Sequence, residues 1–222
     1  MDDSGPDETT ILKFRHLLEK HSLTEQLFRD VGPLLTARRL LLHQGTIVDA
    51  TIVSASPSTK NRDQARDPEM SQTKKRNTRH FGMKAHIGVD VDSGLVHTLV
   101  TTTACEWDQN VLQQLLHGAE NEVVGDRGYG SKVDRALAGE AGIVLHTARR
   151  TTRGNELTVQ QALENKVIAS LRAIVEIPFR VVKRQWGHAM VRYRGLAKNT
   201  AQLHTLFALA NLYQARSRLL PT

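Results

Sequence analysis

The sequence predicts an α/β protein, a mixed β-sheet flanked by helices and preceded by a short helical segment. Three observations predict it. Residues 45–54 read GTIVDATIVS, rich in the β-branched residues that suit a pleated, half-buried surface. Two further strand-like runs, residues 81–91 and 95–102, flank Asp92-Ser93-Gly94, which reads as a turn. Short strand-like runs then alternate with helical periodicity, ending in a long helical pattern over residues 156–182.

Residues 1–8 read as a frayed lead. Thr9 or Thr10 suits a helix cap, and Ile11, Phe14, Leu17 and Leu18 supply a helical stripe that ends at His21-Ser22. A second short helix is expected over residues 24–31. Gly32-Pro33 should break it and start a third helix running to Leu41. In the strand that follows, Ile47, Asp49, Thr51 and Val53 share one face. Aspartate is disfavoured in a strand interior, and such local violations gather at functional sites. A plain edge or strand-end Asp49 is the alternative. Residues 56–78 are polar and charged and read as a mobile loop. Its Lys74-Lys75-Arg76 run suits either phosphate contact or simple solvation.

A helix is expected over residues 108–117 and a short strand over 121–125. Asp126 closes that strand and is followed by Gly128 and Gly130. A carboxylate where a strand runs into a glycine-bearing loop stands at the usual ligand-binding edge of an α/β sheet, although a turn former or helix cap would look the same. A helix over 132–141 and a strand over 143–146 come next. Pro178 lies inside the long helical pattern and should kink or restart it just after Glu176. A final amphipathic helix is expected over residues 200–216.

The totals bound the function. The chain has 222 residues and is 40% hydrophobic, enough for one globular domain. Its net charge of +7 favours a polyanionic partner, with nucleic acid ahead of an acidic membrane surface. The excess is concentrated: from Thr147 on, thirteen Lys and Arg stand against Glu156, Glu164 and Glu176. No apolar run approaches the length of a bilayer span, and the acidic start MDDSGPDETT is no signal peptide, so a cytoplasmic, nucleoid-associated protein with no membrane partner is expected. The single cysteine, Cys105, excludes an internal disulfide and a cysteine zinc site.

Within residues 171–183 (LRAIVEIPFRVVK), Arg172, Glu176, Arg180 and Lys183 recur at helical spacing on one side. A solvated face with an ordinary ion pair explains this pattern. So does a carboxylate facing a metal ion among cations that hold nucleic-acid backbone. Asp49 and Asp126 favour the second explanation. Magnesium takes hard oxygen ligands, and two such ions activate and stabilise the oxygens of a phosphoryl displacement.

The segments TTILKFRHLLE, GTIVDATIV, STKN, RDPEM, FGMKAHIGVD, GDRGY, VEIPFRVVKRQWG and RYRGLAKN run from Thr9 to Asn199. Together they resemble the DDE transposases of bacterial insertion sequences, in the IS-five group. The resemblance implies an RNase H-like catalytic core over residues 45–199. Residues 1–44 would be the remnant of an N-terminal helical DNA-binding region, and residues 200–222 a C-terminal helix packing on the core. It implies Asp49, Asp126 and Glu176 as catalytic residues and ligands of two Mg²⁺ ions, with Mn²⁺ as a substitute. Arg172 and Lys183 are expected at phosphates near the metals. Arg180, Arg184, Arg192, Arg194 and Lys198, with Lys74 and Lys75, are expected along the wider DNA backbone. The family's helical signature is met at Arg172, Glu176 and Lys183, while Ala169 stands at its tyrosine position. The implied activity is metal-dependent cleavage of double-stranded DNA at element ends and strand transfer into target DNA, carried out by a dimer. Because the chain starts close to TTILKFRHLLE, an N-terminally truncated, inactive DNA-binding remnant is the alternative. A plain nuclease is a third reading. Tyr129 reads as a packing or phosphate-contact residue rather than a nucleophile, and His80, His86, His97 and His188 as structural or DNA-proximal.

Overall fold

The computed structural model describes residues 5–42, 44–75, 77–151 and 156–220, so Arg76 and Arg153 lie outside the described residues. Helix α1 (Glu8–Lys20) is capped one turn earlier than expected, by Asp7, whose carboxylate accepts a 2.6 Å hydrogen bond from the Thr10 N–H. Helix α2 (Leu23–Ala37) runs unbroken through Gly32-Pro33, so the two helices expected there are one. Packing overrides the proline. Phe28 and Leu35 are buried, Phe28 in the main core and Leu35 against Ala215. Burying two such side chains contributes about 1.5–3 kcal/mol each, against roughly 3 kcal/mol for an interior proline. Pro33 itself is exposed.

The sheet is built on β1 (Gly45–Ser54), which pairs antiparallel with β3 (Thr78–Asp90) along its whole described register, Thr46 opposite Asp90 through Ser54 opposite Gly82. Strand β4 (Val96–Thr103) lies antiparallel on the far edge of β3. The other edge of β1 pairs in parallel with β5 (Glu122–Gly125), and β5 pairs in parallel with β6 (Val144–Thr147). The order β4-β3-β1-β5-β6 agrees with the RNase H-like mixed sheet that the sequence resemblance implies. A sixth strand, β2 (Ser71–Lys75), forms a hairpin with the start of β3 inside the stretch expected to be loop. It carries no apolar alternation because it is an edge: Lys74 and Lys75 are exposed, as charged residues on unpaired strand edges generally are.

Residues 63–69 of that stretch are also tied down, which corrects the expectation of a mobile loop there. The Arg194 guanidinium donates to Asp63 at 2.8 Å, the Gly195 N–H to Asp67 at 2.7 Å and the Leu196 N–H to Glu69 at 2.6 Å. The acids therefore sit at the start of α6 (Leu196–Leu219), where a helix N-terminus favours negative charge. Helix α6 begins four residues before the expected start.

A 3-10 turn (Asp108–Val111) leads into the short α3 (Leu112–Leu115), and α4 (Lys132–Glu140) joins β5 to β6. Helix α5 (Val159–Arg180) passes through Pro178 without restarting, and its hydrogen bonding widens only afterwards, in a π turn over Val181–Gln185. Two layers of core result. Ile47, Val53, Met83, Ala85 and Ile87 pack under Val175 and Phe179 of α5 and Leu203 and Phe207 of α6. On the opposite face Val48 and Val123 meet Leu112, Leu115 and Tyr129. No helix among the described residues is long and apolar enough to cross a membrane.

Asn211 ties α6 to the sheet. Its buried amide accepts from the Val96 N–H at 2.8 Å and donates to the Val96 carbonyl at 2.6 Å. Asn211→Leu leaves both backbone groups buried without a partner. We expect a loss of about 2–4 kcal/mol in stability, read as a lower urea midpoint at unchanged slope.

Candidate active site

The site forms where β1 and β5 part. Val48 and Gly125 are the last paired residues of the two parallel strands. The next residues, Asp49 within β1 and Asp126 just past the end of β5, therefore stand side by side, at a strand spacing of roughly 4.8 Å. Gly125 allows a close approach: a Cβ there would stand 3.1 Å from both Val48 and the Tyr129 Cβ. A Cβ at Gly128 would stand 2.8 Å from an Asp126 oxygen, so the Asp126 side chain would have to shift. That oxygen accepts a 2.6 Å hydrogen bond from the Gly128 N–H, so Asp126 caps the turn over Arg127–Tyr129 while lying at the strand end.

Asp49 shares the face of β1 that carries Ile47 and Val53, the face covered by α5. One of its oxygens accepts from the Ala50 N–H at 2.8 Å, and the other stands 3.8 Å from the Arg172 guanidinium. Burial pushes the Asp49 carboxyl up to about 6, and the charges of Asp126 and Glu176 push the same way; the Ala50 hydrogen bond and Arg172 oppose them. Asp126 and Glu176 thus both act on Asp49. Glu176 is exposed and borders an open groove of about 530 Å³ beside Thr51, Arg180, Lys183 and Arg184.

The cations divide into groups. Arg172 is the counter-charge of Asp49. Lys183 reaches back to the sheet, donating to the Thr51 hydroxyl at 3.0 Å and the Ile52 carbonyl at 2.8 Å. Burial, and after it the charge of Lys75, holds its ammonium below the ordinary lysine range, while Glu176 opposes this. Lys183 thereby closes the edge of β1 that β5 has left, about two turns beyond Glu176. Arg180 and Arg184 are exposed along the groove, with Lys74 and Lys75 exposed on β2. Arg192 is exposed, and its charge helps depress the buried His188. Arg194 is engaged with Asp63, and Lys198 lines a separate cavity with His16 and Glu25. The structure therefore gathers Arg172, Arg180, Lys183 and Arg184 around the acids and places Arg194 and Lys198 elsewhere.

Sequence reasoning missed a polar cluster behind the acids. Lys84 of β3 donates to Asp108 at 2.8 Å and to the Glu106 carbonyl at 2.6 Å. The His86 Nδ1 stands 3.8 Å from the same Asp108 oxygen, and burial drives this imidazole down to about 4, against the pull of Asp108. Tyr129 is fully buried, and its hydroxyl has no hydrogen-bond partner among the described residues. Burial raises its pKa, as do the carboxylates of Asp108, Asp49 and Asp126 in that order, which keeps the phenol protonated and unsuited to nucleophilic attack. The available signal was Lys84 and His86 two residues apart on one face of an apolar strand.

Among the described residues no group of three or more His, Cys, Asp or Glu side chains is close enough together to hold a metal ion as they stand. The donor set is nevertheless the kind a hard divalent cation takes: carboxylate oxygens, with Asp126 and Glu176 raising the proton affinity of Asp49 and so favouring an added positive charge there.

Residues 41–212 match the family model described as a transposase DDE domain. The chain is also similar to a solved piggyBac transposase synaptic complex with hairpin DNA, at 9% identity and a TM-score of 0.48, covering 80% of this chain and 48% of that one. The chain thus spans about half the length of that solved protein.

The raised Asp49 pKa has a consequence for stability. The folded chain holds this proton more tightly than the unfolded chain, so the contribution is fully present below about pH 4 and is lost as pH rises through about 6. Asp49→Asn removes the burial of an ionised group. We expect the metal-free variant to be more stable than the parent by about 1–3 kcal/mol at pH 7.5, with the difference shrinking toward pH 4 in urea titrations.

Proposed function

Because the chain belongs to the transposase DDE domain family, we propose that it is the catalytic core of a transposase that cuts DNA at the ends of a bacterial insertion sequence of the IS-five group and joins those ends to target DNA. The observation that carries this reading is the meeting of Asp49 and Asp126 where β5 parts from β1, with Glu176 of the covering helix acting on Asp49. A sheet edge of this kind is where α/β proteins bind ligands.

In this reading Asp49, Asp126 and Glu176 hold two divalent ions, Mg²⁺ or Mn²⁺. The ions' contribution is to activate the attacking oxygen and stabilise the leaving one in an in-line displacement. Arg172 compensates Asp49 until the site is loaded. Lys183 holds the C-terminal end of α5 against β1 and so sets where Glu176 stands. Arg180 and Arg184, with Lys74 and Lys75 beyond them, supply a cationic wall for the phosphate backbone, a contact that positions the duplex without reading its sequence. Element ends and target duplex are the proposed partners. Pairing two ends calls for a second copy of the chain.

The test is a Mg²⁺-dependent cleavage assay on end-containing duplex, with binding followed in parallel. Asp49→Asn, Asp126→Asn and Glu176→Gln are each expected to reduce cleavage by at least 100-fold, on the order of a few kcal/mol, while affinity for duplex stays within a few-fold. Cleavage at the parent rate by any one of them removes that residue from the metal set. Cleavage without joining would make the chain a nuclease, and binding without cleavage by the parent would make it a DNA-binding protein only. Arg184→Ala should weaken binding evenly across sequences and lower the salt slope by about one; an unchanged slope takes Arg184 off the phosphate wall.

A further inference from the structure

The connection from β4 to α3 and the turn after β5 enclose a second cavity, of about 440 Å³, with Lys84, Trp107, Asp108, Arg127, Gly128 and Ser131 among its walls. Trp107 is 69% exposed, more than any other Phe, Tyr or Trp among the described residues. An indole left in water in a polar setting is not explained by packing. One large apolar side chain among charged ones does not resemble the apolar centre of a protein–protein contact either.

The cavity adjoins the acids. Gly128 lines it and donates its N–H to Asp126. The Asp108 Cβ lies 4.0 Å from where a Gly128 Cβ would stand, so the two walls meet beside the Asp126 turn. Lys84 clamps the Asp108 wall through its bonds to Asp108 and the Glu106 carbonyl, which makes that side a built surface. Arg127 is exposed on the opposite side. A flat aromatic face, a cation and both donor and acceptor groups thus surround one space next to a carboxylate assigned to the metal ions at the DNA backbone.

Resting on the transposase reading, we propose that this cavity receives one unpaired nucleobase of the DNA strand held at Asp126, stacked on Trp107. A base inside a duplex cannot reach a concave pocket, whereas an extruded or frayed base is held by stacking together with hydrogen bonds to its exposed edge. Stacking on an aromatic ring tolerates every base, and Asp108 and Arg127 offer an acceptor and a donor to the base edge. The volume lies within the usual range for a small-ligand site.

Two probes test this in the full chain: an end duplex carrying one unpaired 2-aminopurine, and the same duplex fully paired. Stacking on Trp107 should quench the 2-aminopurine, and the unpaired duplex should bind more tightly than the paired one by about tenfold, toward the lower end of what one base–aromatic stack supplies. Trp107→Ala should abolish the quench and the preference, and Trp107→Phe should restore part of both. Cys105 gives an independent readout. It is exposed, lines the same cavity and is the sole cysteine, so its alkylation should slow when the unpaired duplex binds. Equal binding of the two duplexes, or a quench unchanged in Trp107→Ala, overturns the pocket and leaves the transposase reading standing. Failure to bind either duplex overturns both.

Discussion

The arrangement depends on one uncomfortable placement, a carboxylate on the central strand beneath a covering helix. Asp49 shares its face with Ile47 and Val53, which are almost wholly buried, and lies where an apolar residue would pack without penalty. It is tolerated because β5 separates from β1 after Val48, so the strand edge there is not sealed by another strand. Arg172 and the Ala50 N–H offset part of the desolvation. Two neighbouring acids then add repulsion. A fold optimised for stability alone would replace Asp49; retaining it makes sense if the repulsion is relieved by a cation that arrives with the reaction.

Helix α5 answers that constraint from the other side. Arg172 and Lys183, eleven positions apart in the chain, both reach β1, one at Asp49 and the other at Thr51 and Ile52. They bracket Glu176, and the helix is fastened to the strand at both ends of the stretch that carries it. The segment after the π turn continues the same work. The Ser54 N–H bonds to the Ala189 carbonyl and the Val191 N–H to the Ser54 carbonyl, resuming the pairing of β1 beyond the gap. The opening therefore has defined limits, β5 below and residues 189–191 above. A rigid frame of this kind lets charged groups keep their positions without packing against one another.

Much of this was legible in the residues. The β-branched run around Asp49 and the glycine-bearing turn after Asp126 carry strong local signals, and the structure places both where those signals point. Other features were hidden because tertiary contacts decided them. Pro33 sits inside α2 since Phe28 and Leu35 need one continuous face. Strand β2 reads as loop because an edge strand has no buried alternation to display. Acidic residues in the same stretch look solvated until Gly195 and Leu196 are seen to donate to Asp67 and Glu69. Lys183 was expected at a phosphate, because nothing local announces that its ammonium reaches across to Thr51. Nor does anything local announce that Asn211 is the group that satisfies Val96.

The two faces of the sheet divide the labour around Asp126. On the α5 side lie Asp49, its guanidinium partner and the cationic groove; on the other side lie Lys84, Asp108 and the buried Tyr129 hydroxyl. Asp126 belongs to both, because it leaves a strand end rather than a strand face. Tyr129 links them: its ring packs on the Gly125–Val48 contact, while its hydroxyl feels carboxylates from either side. A bulkier residue at Gly128 would therefore do more than crowd a turn. It would press on the Asp126 carboxylate, which borders both faces.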